Sequence, residues 1–331
     1  MIDLKIDKYN QKEKIQKIFQ YYKKHGFPNY NQNKYDKNKE LQKLINFNES
    51  NIFIEDKKII KQTMHSCGFL WTYFPHWIEV RCKNDMSLID NWNDDIKLYS
   101  LIEKTYNYIL KHGNGNWTEN RIRQNAKVYC SKQSVSNFRP TVAKFIYNKF
   151  GNSGTVWDMS CGWGGRLFGF LASNCKKYIG TDPSTRTYEG LEKIKKDYTY
   201  IQKEIELHKI GSEDFCPEEN SVDLCFTSPP YFDTEKYSEE QTQSYIKFPT
   251  IQKWVHGFLE QTFINCKKSL KSNGKLIINI ANIDKYDLED ITINTAIKCG
   301  FELEDKYLME LSSISGKGAK FEPIFIFKKI A

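Results

Sequence analysis

The chain has 331 residues, 40% hydrophobic and 15% aromatic, enough for a full-sized core and a second, smaller unit. Its opening, from Met1 to Lys8, lacks the apolar stretch of a signal peptide, and no apolar run approaches the ~20 residues of a membrane span, so we expect a cytoplasmic or nucleoid-associated protein without a membrane partner. The net charge of +8 is unevenly spread: residues 1–150 hold 26 Lys and Arg against 15 Asp and Glu, and residues 151–331 hold 23 against 26. A basic first half is a candidate polyanion surface, and an Asn/Lys-rich composition alone would not leave the second half acidic.

In chain order, a Lys-rich amphipathic opening gives way to a turn-rich stretch, Gly26 to Asn31, and then to aromatics from Phe69 to Trp77, read as extended. Leu101 to Leu110 repeats apolar residues at helical spacing, closed by Gly113-Asn114-Gly115-Asn116. From Trp117 to Phe150 the pattern is helix, loop, helix, with Arg121, Arg123, Lys127 and Lys132 as candidate DNA contacts. Trp71, Tyr73, His76 and Trp77 are further available contacts, though an aromatic stretch is more often core. We divide the chain into a basic N-terminal α+β region, 1–130, as the candidate DNA-recognition part, and an α/β domain, 131–331.

After Gly151, short apolar runs alternate with helical segments, the signature of βαβ units around a mostly parallel sheet. The expected strands are 155–158, 177–181, 206–209, 222–227, 275–280, 307–311 and 324–327, with helices clearest at 166–173, 189–198, 251–270 and 287–299. Nine scattered cysteines without a Cys-x-x-Cys pair argue against structural zinc, and no metal is expected. Cys161 reads as a small packing residue in preference to a reactive thiol.

Two segments carry chemistry. Asp158-Met159-Ser160-Cys161-Gly162-Trp163-Gly164-Gly165 ends a strand in an acid and a Gly-x-Gly-Gly turn before a helix, where glycines permit close approach and free N–H groups face a ligand. The spacing falls short of the dinucleotide fingerprint, since Arg166 and Leu167 are not followed by another glycine. Asp182 closes the next strand and Asp214 follows the third, so three acids line one carboxyl edge, where open α/β sheets bind ligands. At the fourth strand end stands Ser228-Pro229-Pro230-Tyr231-Phe232. Two prolines fix the backbone and leave its carbonyls as aimed acceptors, suited to holding an amino group.

Taken in this order, the motifs resemble those of class I S-adenosylmethionine-dependent methyltransferases, over residues 131–331, and Ser-Pro-Pro-Tyr resembles the version of the DNA amino-methyltransferases. The resemblance implies a Rossmann-like, mostly parallel seven-stranded sheet and S-adenosyl-L-methionine as cofactor. It implies that Asp158, Ser160, Gly162 and Gly164 face the methionine portion, Asp182 the ribose and Asp214 the adenine amino group. Asn137, Arg139 and Thr141, just upstream, resemble the segment touching the methionine end, where Arg139 could pair with the carboxylate.

In the chemical half, the Ser228 hydroxyl and the Pro229 carbonyl would hold the exocyclic amine of a flipped base, with Tyr231 and Phe232 stacking on it. A leading serine leans toward cytosine N4, with adenine N6 as the alternative. Double-stranded DNA is the implied partner, with room for a restriction endonuclease beside it. An RNA base or a protein glutamine on the same fold is a rival substrate, and an inactive nucleic-acid-binding protein is the non-enzyme rival. The polar stretch after Phe232 reads equally as a flap over the base or a surface loop. Fewer residues follow Tyr231 than a sheet and a recognition domain need together, so DNA reading is expected of the N-terminal half.

Overall fold

The computed structural model describes residues 10–83, 86–112, 117–130, 135–311 and 319–330. Among the described residues, no helix is long and apolar enough to cross a membrane. The chain forms two units: one from the described parts of Met1–Tyr30, Pro75–Ser136 and Thr234–Tyr237, the other from Asn31–Phe74, Asn137–Asp233 and Ser238–Ala331. The division therefore differs from a single cut at 130. Residues 31–74 belong with the sheet, and a short stretch after the fourth strand belongs with the N-terminal unit.

The first unit is built on α1 (Gln11–His25), α2 (Asp95–His112) and α3 (Glu119–Tyr129). Asn10 opens α1 with a reciprocal cap: its side chain accepts from the Glu13 N–H at 3.0 Å, and the Glu13 carboxylate accepts from the Asn10 N–H at 3.0 Å. Ile15, Ile18 and Tyr22, one face of α1, are buried. The Trp117 indole donates to the Tyr22 hydroxyl at 3.0 Å, anchoring the start of α3 to that face. A two-residue strand pair, Arg81–Cys82 with Glu235–Lys236, supplies the β part. By sequence this unit holds 17 Lys and Arg against 11 Asp and Glu, so the basic excess stays concentrated here.

The second unit carries α4 (Pro140–Phe150), β1 (Thr155–Asp158), α5 (Gly165–Leu171), β2 (Lys177–Thr181), α6 (Thr185–Asp197), β3 (Glu204–His208), β4 (Val222–Thr227), β5 (Leu270–Asn279), α7 (Leu288–Lys298), β6 (Phe301–Leu311) and β7 (Lys320–Lys329). The sheet runs β3-β2-β1-β4-β5-β7-β6, and β7 alone is antiparallel to its neighbours. Two-residue strands at Phe53–Ile54 and Ile59–Ile60 extend the β6 edge to nine strands. The expected mostly parallel, Rossmann-like seven-stranded sheet is thus present. All six residues of β4 are buried, as a central parallel strand covered on both faces requires. Trp157, Cys225, Leu276 and Phe325 share one core with Trp254 and Phe263 from the helical segment at 251–269.

The aromatic stretch departs from its reading. Phe69 to Trp77 is not extended: Cys67–Leu70 is a helical turn and Pro75–Glu79 a 3-10 turn. Phe69, Trp71, Tyr73, Phe74 and Trp77 are all buried, because side chains this large fill core space whatever their local backbone.

Candidate active site

Three strand ends and two motifs meet at the carboxyl edge of the sheet. At its centre, Asp158 is completely enclosed, and its carboxylate accepts four hydrogen bonds from protein groups. Arg166 Nε donates to Oδ2 at 2.9 Å and the Tyr178 hydroxyl to the same atom at 2.8 Å. The Thr227 hydroxyl donates to Oδ1 at 2.9 Å and the Ser160 N–H at 3.3 Å. A carboxylate with four donors and no exposure holds the site and leaves no side for a ligand. Its role here is positioning, not the ligand contact expected from sequence.

Arg166, passed over as the residue that spoils the dinucleotide spacing, is the missed partner. It is 4% exposed, bonds the Ser160 carbonyl as well as Asp158, and lies 5.3 Å from the Phe138 ring centre. A lone arginine directly after a glycine turn, eight residues from a strand-end acid, is the sequence signal for such a pair.

The turn itself is shaped as expected. Gly162 and Gly164 take left-handed backbone with φ of +55° and +72°. A Cβ on Gly164 would fall 2.6 Å from Ile194, whereas one on Gly162 would meet nothing nearer than the Ser160 carbonyl at 3.9 Å, so space opens in front of Gly162. Cys161 is buried and its thiol is pushed well above its ordinary pKa by burial, which makes it a packing residue.

Asp182 is only partly buried. It accepts the Gly162 N–H at 2.9 Å and the Ser184 N–H at 3.0 Å, tying the β1 turn to the end of β2. Desolvation outweighs those two bonds and pushes its carboxyl up to about 7. Asp214 is exposed and paired with Lys247. Its neighbour Glu213, which was not singled out from sequence, is the buried acid of this strand end: Lys247 Nζ lies 2.9 Å from Oε1, and Oε2 has no partner among the described residues.

Upstream, Asn137 and Thr141 are buried and engaged within the protein. The Asn137 amide donates to the Trp163 carbonyl at 2.6 Å, and the Thr141 and Thr63 hydroxyls are 3.0 Å apart. Asn137 braces the turn from behind, with Gly165 packed so tightly that a Cβ would sit 2.0 Å from the Phe138 carbonyl. Arg139 is partly exposed at the start of α4, where it donates to Gln62 at 2.6 Å and to the Asn137 carbonyl at 3.0 Å.

At the end of β4, Ser228 is partly exposed, and its hydroxyl makes no hydrogen bond among the described residues. Pro229 is buried, Pro230 and Tyr231 partly exposed. Thr227, immediately before, bonds Asp158, so one buried carboxylate sets both the glycine turn and the Ser-Pro-Pro-Tyr segment. Phe232 corrects the stacking assignment. It is 5% exposed and packs edge-on against Trp254 and Tyr286, at 6.0 and 5.8 Å between ring centres. Its φ of +53°, a strained value for a non-glycine residue, turns its ring into the core, whereas Tyr231 is partly exposed while packing against that core.

The candidate DNA contacts divide. Arg121 is partly exposed, 3.3 Å from the Gln124 amide oxygen and 5.0 Å above the Tyr108 ring. Arg123 is 8% exposed, donating to the Pro28 carbonyl at 2.8 Å and stacked 4.6 Å over Tyr30, so it is part of the core of the first unit. Lys127 lies 4.3 Å over the Trp77 ring and is half-buried, and Lys132 lies outside the described residues. Trp71, Tyr73, His76 and Trp77, being buried, are not surface contacts. Among the described residues, no group of three His, Cys, Asp or Glu side chains is placed to hold a metal ion.

The strand order, with its single antiparallel strand, is that of a mostly parallel, Rossmann-like α/β sheet. No family model matches the chain, and no curated protein does. Among solved structures it is similar to a putative RNA methyltransferase from Pyrococcus horikoshii, at 13% identity and a TM-score of 0.38, over 58% of this chain and 83% of that one. It is similar also to a TehB-like SAM-dependent methyltransferase from Corynebacterium glutamicum, at 15% and 0.39, over 64% and 97%. A third, TrmN from Thermus thermophilus, gives 13% and 0.40 over 58% and 49%. The fold assignment rests on strand order and polarity.

Proposed function

We propose that this chain is an S-adenosyl-L-methionine-dependent methyltransferase acting on the exocyclic amino group of a flipped DNA base, cytosine N4 ahead of adenine N6. The observation that carries the reading is the shared anchor: Asp158 holds the open Gly162 turn and, through Thr227, the segment bearing the uncommitted Ser228 hydroxyl. The residues fit the cofactor. Gly162 leaves space that a side chain would fill, Asp182 is partly exposed and bonded to the Gly162 N–H, and Arg139 stands partly exposed upstream. When bound, the cofactor supplies a methyl on a sulfonium, a leaving group that needs no metal.

The protein's own task is placement. An exocyclic amine conjugated to its ring is a poor nucleophile. Two acceptors, the Ser228 hydroxyl oxygen and the Pro229 carbonyl, would draw its N–H bonds toward tetrahedral geometry, while Tyr231 stacks on the ring. A wild-type assay with labelled cofactor on DNA, digested to nucleosides, tests the reading: label in N4-methylcytosine supports it, and label in neither N4-methylcytosine nor N6-methyladenine overturns it. An RNA or glutamine substrate would register in the same assay run on those polymers.

Asp182 gives the cofactor reading a pH signature. With its folded value raised from 3.8 to about 7, the carboxyl is mostly neutral below pH 7 in the free protein, and the stability this contributes, full below about pH 4, is lost as pH rises from there through 7. A ligand offering hydroxyl donors prefers the carboxylate, so the affinity for S-adenosylhomocysteine is expected to rise between pH 6 and 8. Asp182→Asn should flatten both slopes and weaken binding about tenfold. Calorimetry across that range checks it, and a binding curve whose slope survives in the variant removes Asp182 from the ligand site.

The basic first unit is the proposed DNA surface. Charge reversal at Arg121 should weaken DNA binding and lower the salt slope by about one. The same change at buried Arg123 should lower the melting temperature instead. Equal salt slopes for wild type and the Arg121 variant would move the DNA surface elsewhere.

A further inference from the structure

Residues 238–248, downstream of the chemical motif, are a compact piece in their own right. The Gln243 N–H donates to the Glu240 carbonyl at 3.0 Å, the Lys247 N–H to the Gln243 carbonyl at 2.9 Å and the Tyr245 hydroxyl to the Ser238 carbonyl at 2.7 Å. Bonds closed within the piece let it move as one body, with any change of backbone angle confined to its ends. Both ends are fixed by other means. Upstream, the Thr234 carbonyl accepts the Lys83 N–H at 2.8 Å, and Glu235-Lys236 pair with Arg81-Cys82 as a strand of the first unit. Downstream, the Phe248 ring packs against the core, so close to Gly257 that a Cβ there would come within 2.2 Å of it.

Between those anchors the piece is held to the sheet ends by polar contacts. The Glu240 carboxylate accepts the Thr185 N–H at 3.1 and 3.2 Å and the Thr185 hydroxyl at 3.3 Å. Ser184, the N-cap of α6, makes no side-chain cap of its own, so Glu240 caps that helix from outside. The Thr242 hydroxyl donates to the Pro183 carbonyl at 3.3 Å. At the far end Lys247 pairs with Asp214 and, at 2.9 Å, with Glu213. These contacts fall one to three residues beyond Asp182 and just beyond β3, along the edge where an open α/β sheet takes its ligand. A half-exposed ion pair and a helix cap exchange for water at small net cost, whereas a packed ring and a strand pair do not. We propose that residues 238–248 are a strap that lifts from the ends of β2 and β3, hinged at its two anchors, to let the cofactor in and out, with Glu240 and Lys247 as its latches. The strap thus serves the cofactor end, where the sequence suggested a flap over the target base. The inference rests on the S-adenosylmethionine reading above and adds to it the control of ligand exchange.

Stopped-flow measurement of S-adenosylhomocysteine binding and release by the full chain tests the strap. A gate slows association and dissociation together, because its latches close with and without ligand. Glu240→Ala and, separately, Lys247→Met are each expected to raise both rate constants about tenfold, while the dissociation constant stays within a factor of about three. The ligand carries no net charge at neutral pH, so salt leaves its encounter alone and acts on the latches. Raising salt from about 0.05 to about 0.5 M should therefore quicken both steps in wild type, and much less in a variant carrying both substitutions. If only release quickens and affinity falls by the same factor, the contacts shape the binding site and gate nothing, which overturns the inference. Association rates unchanged in both folded variants also overturn it, and leave the cofactor reading intact. Absence of S-adenosylhomocysteine binding by wild type overturns the cofactor reading, and the strap falls with it. Melting curves identify a variant that has not folded, and the other then decides.

Discussion

Replacing Ser228 by alanine is expected to lower methyl transfer about 10²–10³-fold, the usual cost of removing one positioned polar group from a reacting centre. The affinity for S-adenosylhomocysteine should stay within a factor of about three and the melting temperature within about 1 °C, because the Ser228 hydroxyl makes no hydrogen bond among the described residues. Tyr231→Ala should give a loss of the same order through the stacking surface it removes. Phe232→Ala is the contrasting control. That ring fills core space against Trp254, so its truncation should cost about 3–5 kcal/mol of stability. Single-turnover kinetics beside calorimetry separates these outcomes. If Ser228→Ala lowers cofactor affinity as much as turnover, the chemical site has been put in the wrong place.

The parallel half of the sheet was readable because central strands are buried on both faces. Thr155–Asp158, Lys177–Thr181 and Val222–Thr227 appear with the bounds their apolar runs imply. The antiparallel edge was read too short. Phe301–Leu311 alternates buried and wetter positions, and Glu302, Glu304 and Lys306 on the wetter face dilute the apolar signal. Leu270–Asn279 includes Lys271-Ser272-Asn273-Gly274, which by composition is a turn and which stands as an irregularity opposite Asp223: β4 pairs with Leu270 and again from Lys275 onward.

The site was legible to the same depth. Its backbone devices, the two left-handed glycines and the double proline, follow from covalent geometry and stand where they were expected. The roles of side chains did not follow. Asp158 and Asp182 occupy equivalent strand ends, but one is enclosed by Arg166 and Tyr178 and the other is partly open, a distinction made by residues 8 and 20 positions downstream of Asp158. Arg123 and Phe232 show the same limit: a charge or a ring in a promising segment declares its chemistry, and packing alone decides whether solvent meets it.

The enclosed carboxylate supplies the second large expected effect. Asp158→Asn leaves the Arg166 guanidinium, 4% exposed, without its counter-charge, and breaking one side of a buried pair costs about 3–5 kcal/mol. At about 2–4 °C per kcal/mol for a domain of this size, the melting temperature should fall by roughly 6–20 °C. Removing both charges should be milder, because desolvating an ion pair consumes much of what the pair returns. Asp158→Leu combined with Arg166→Met, which removes both charges and every acceptor oxygen at position 158, is expected to regain at least about a third of the loss, the Thr227 and Tyr178 hydroxyls being left without that partner. Stability and function should then part. The double variant still lacks the anchor joining the glycine turn to Thr227, so methyl transfer stays depressed after the melting temperature recovers. A double variant that is both stable and fully active would show that Asp158 serves only the core, and the shared anchor would no longer support the proposed site.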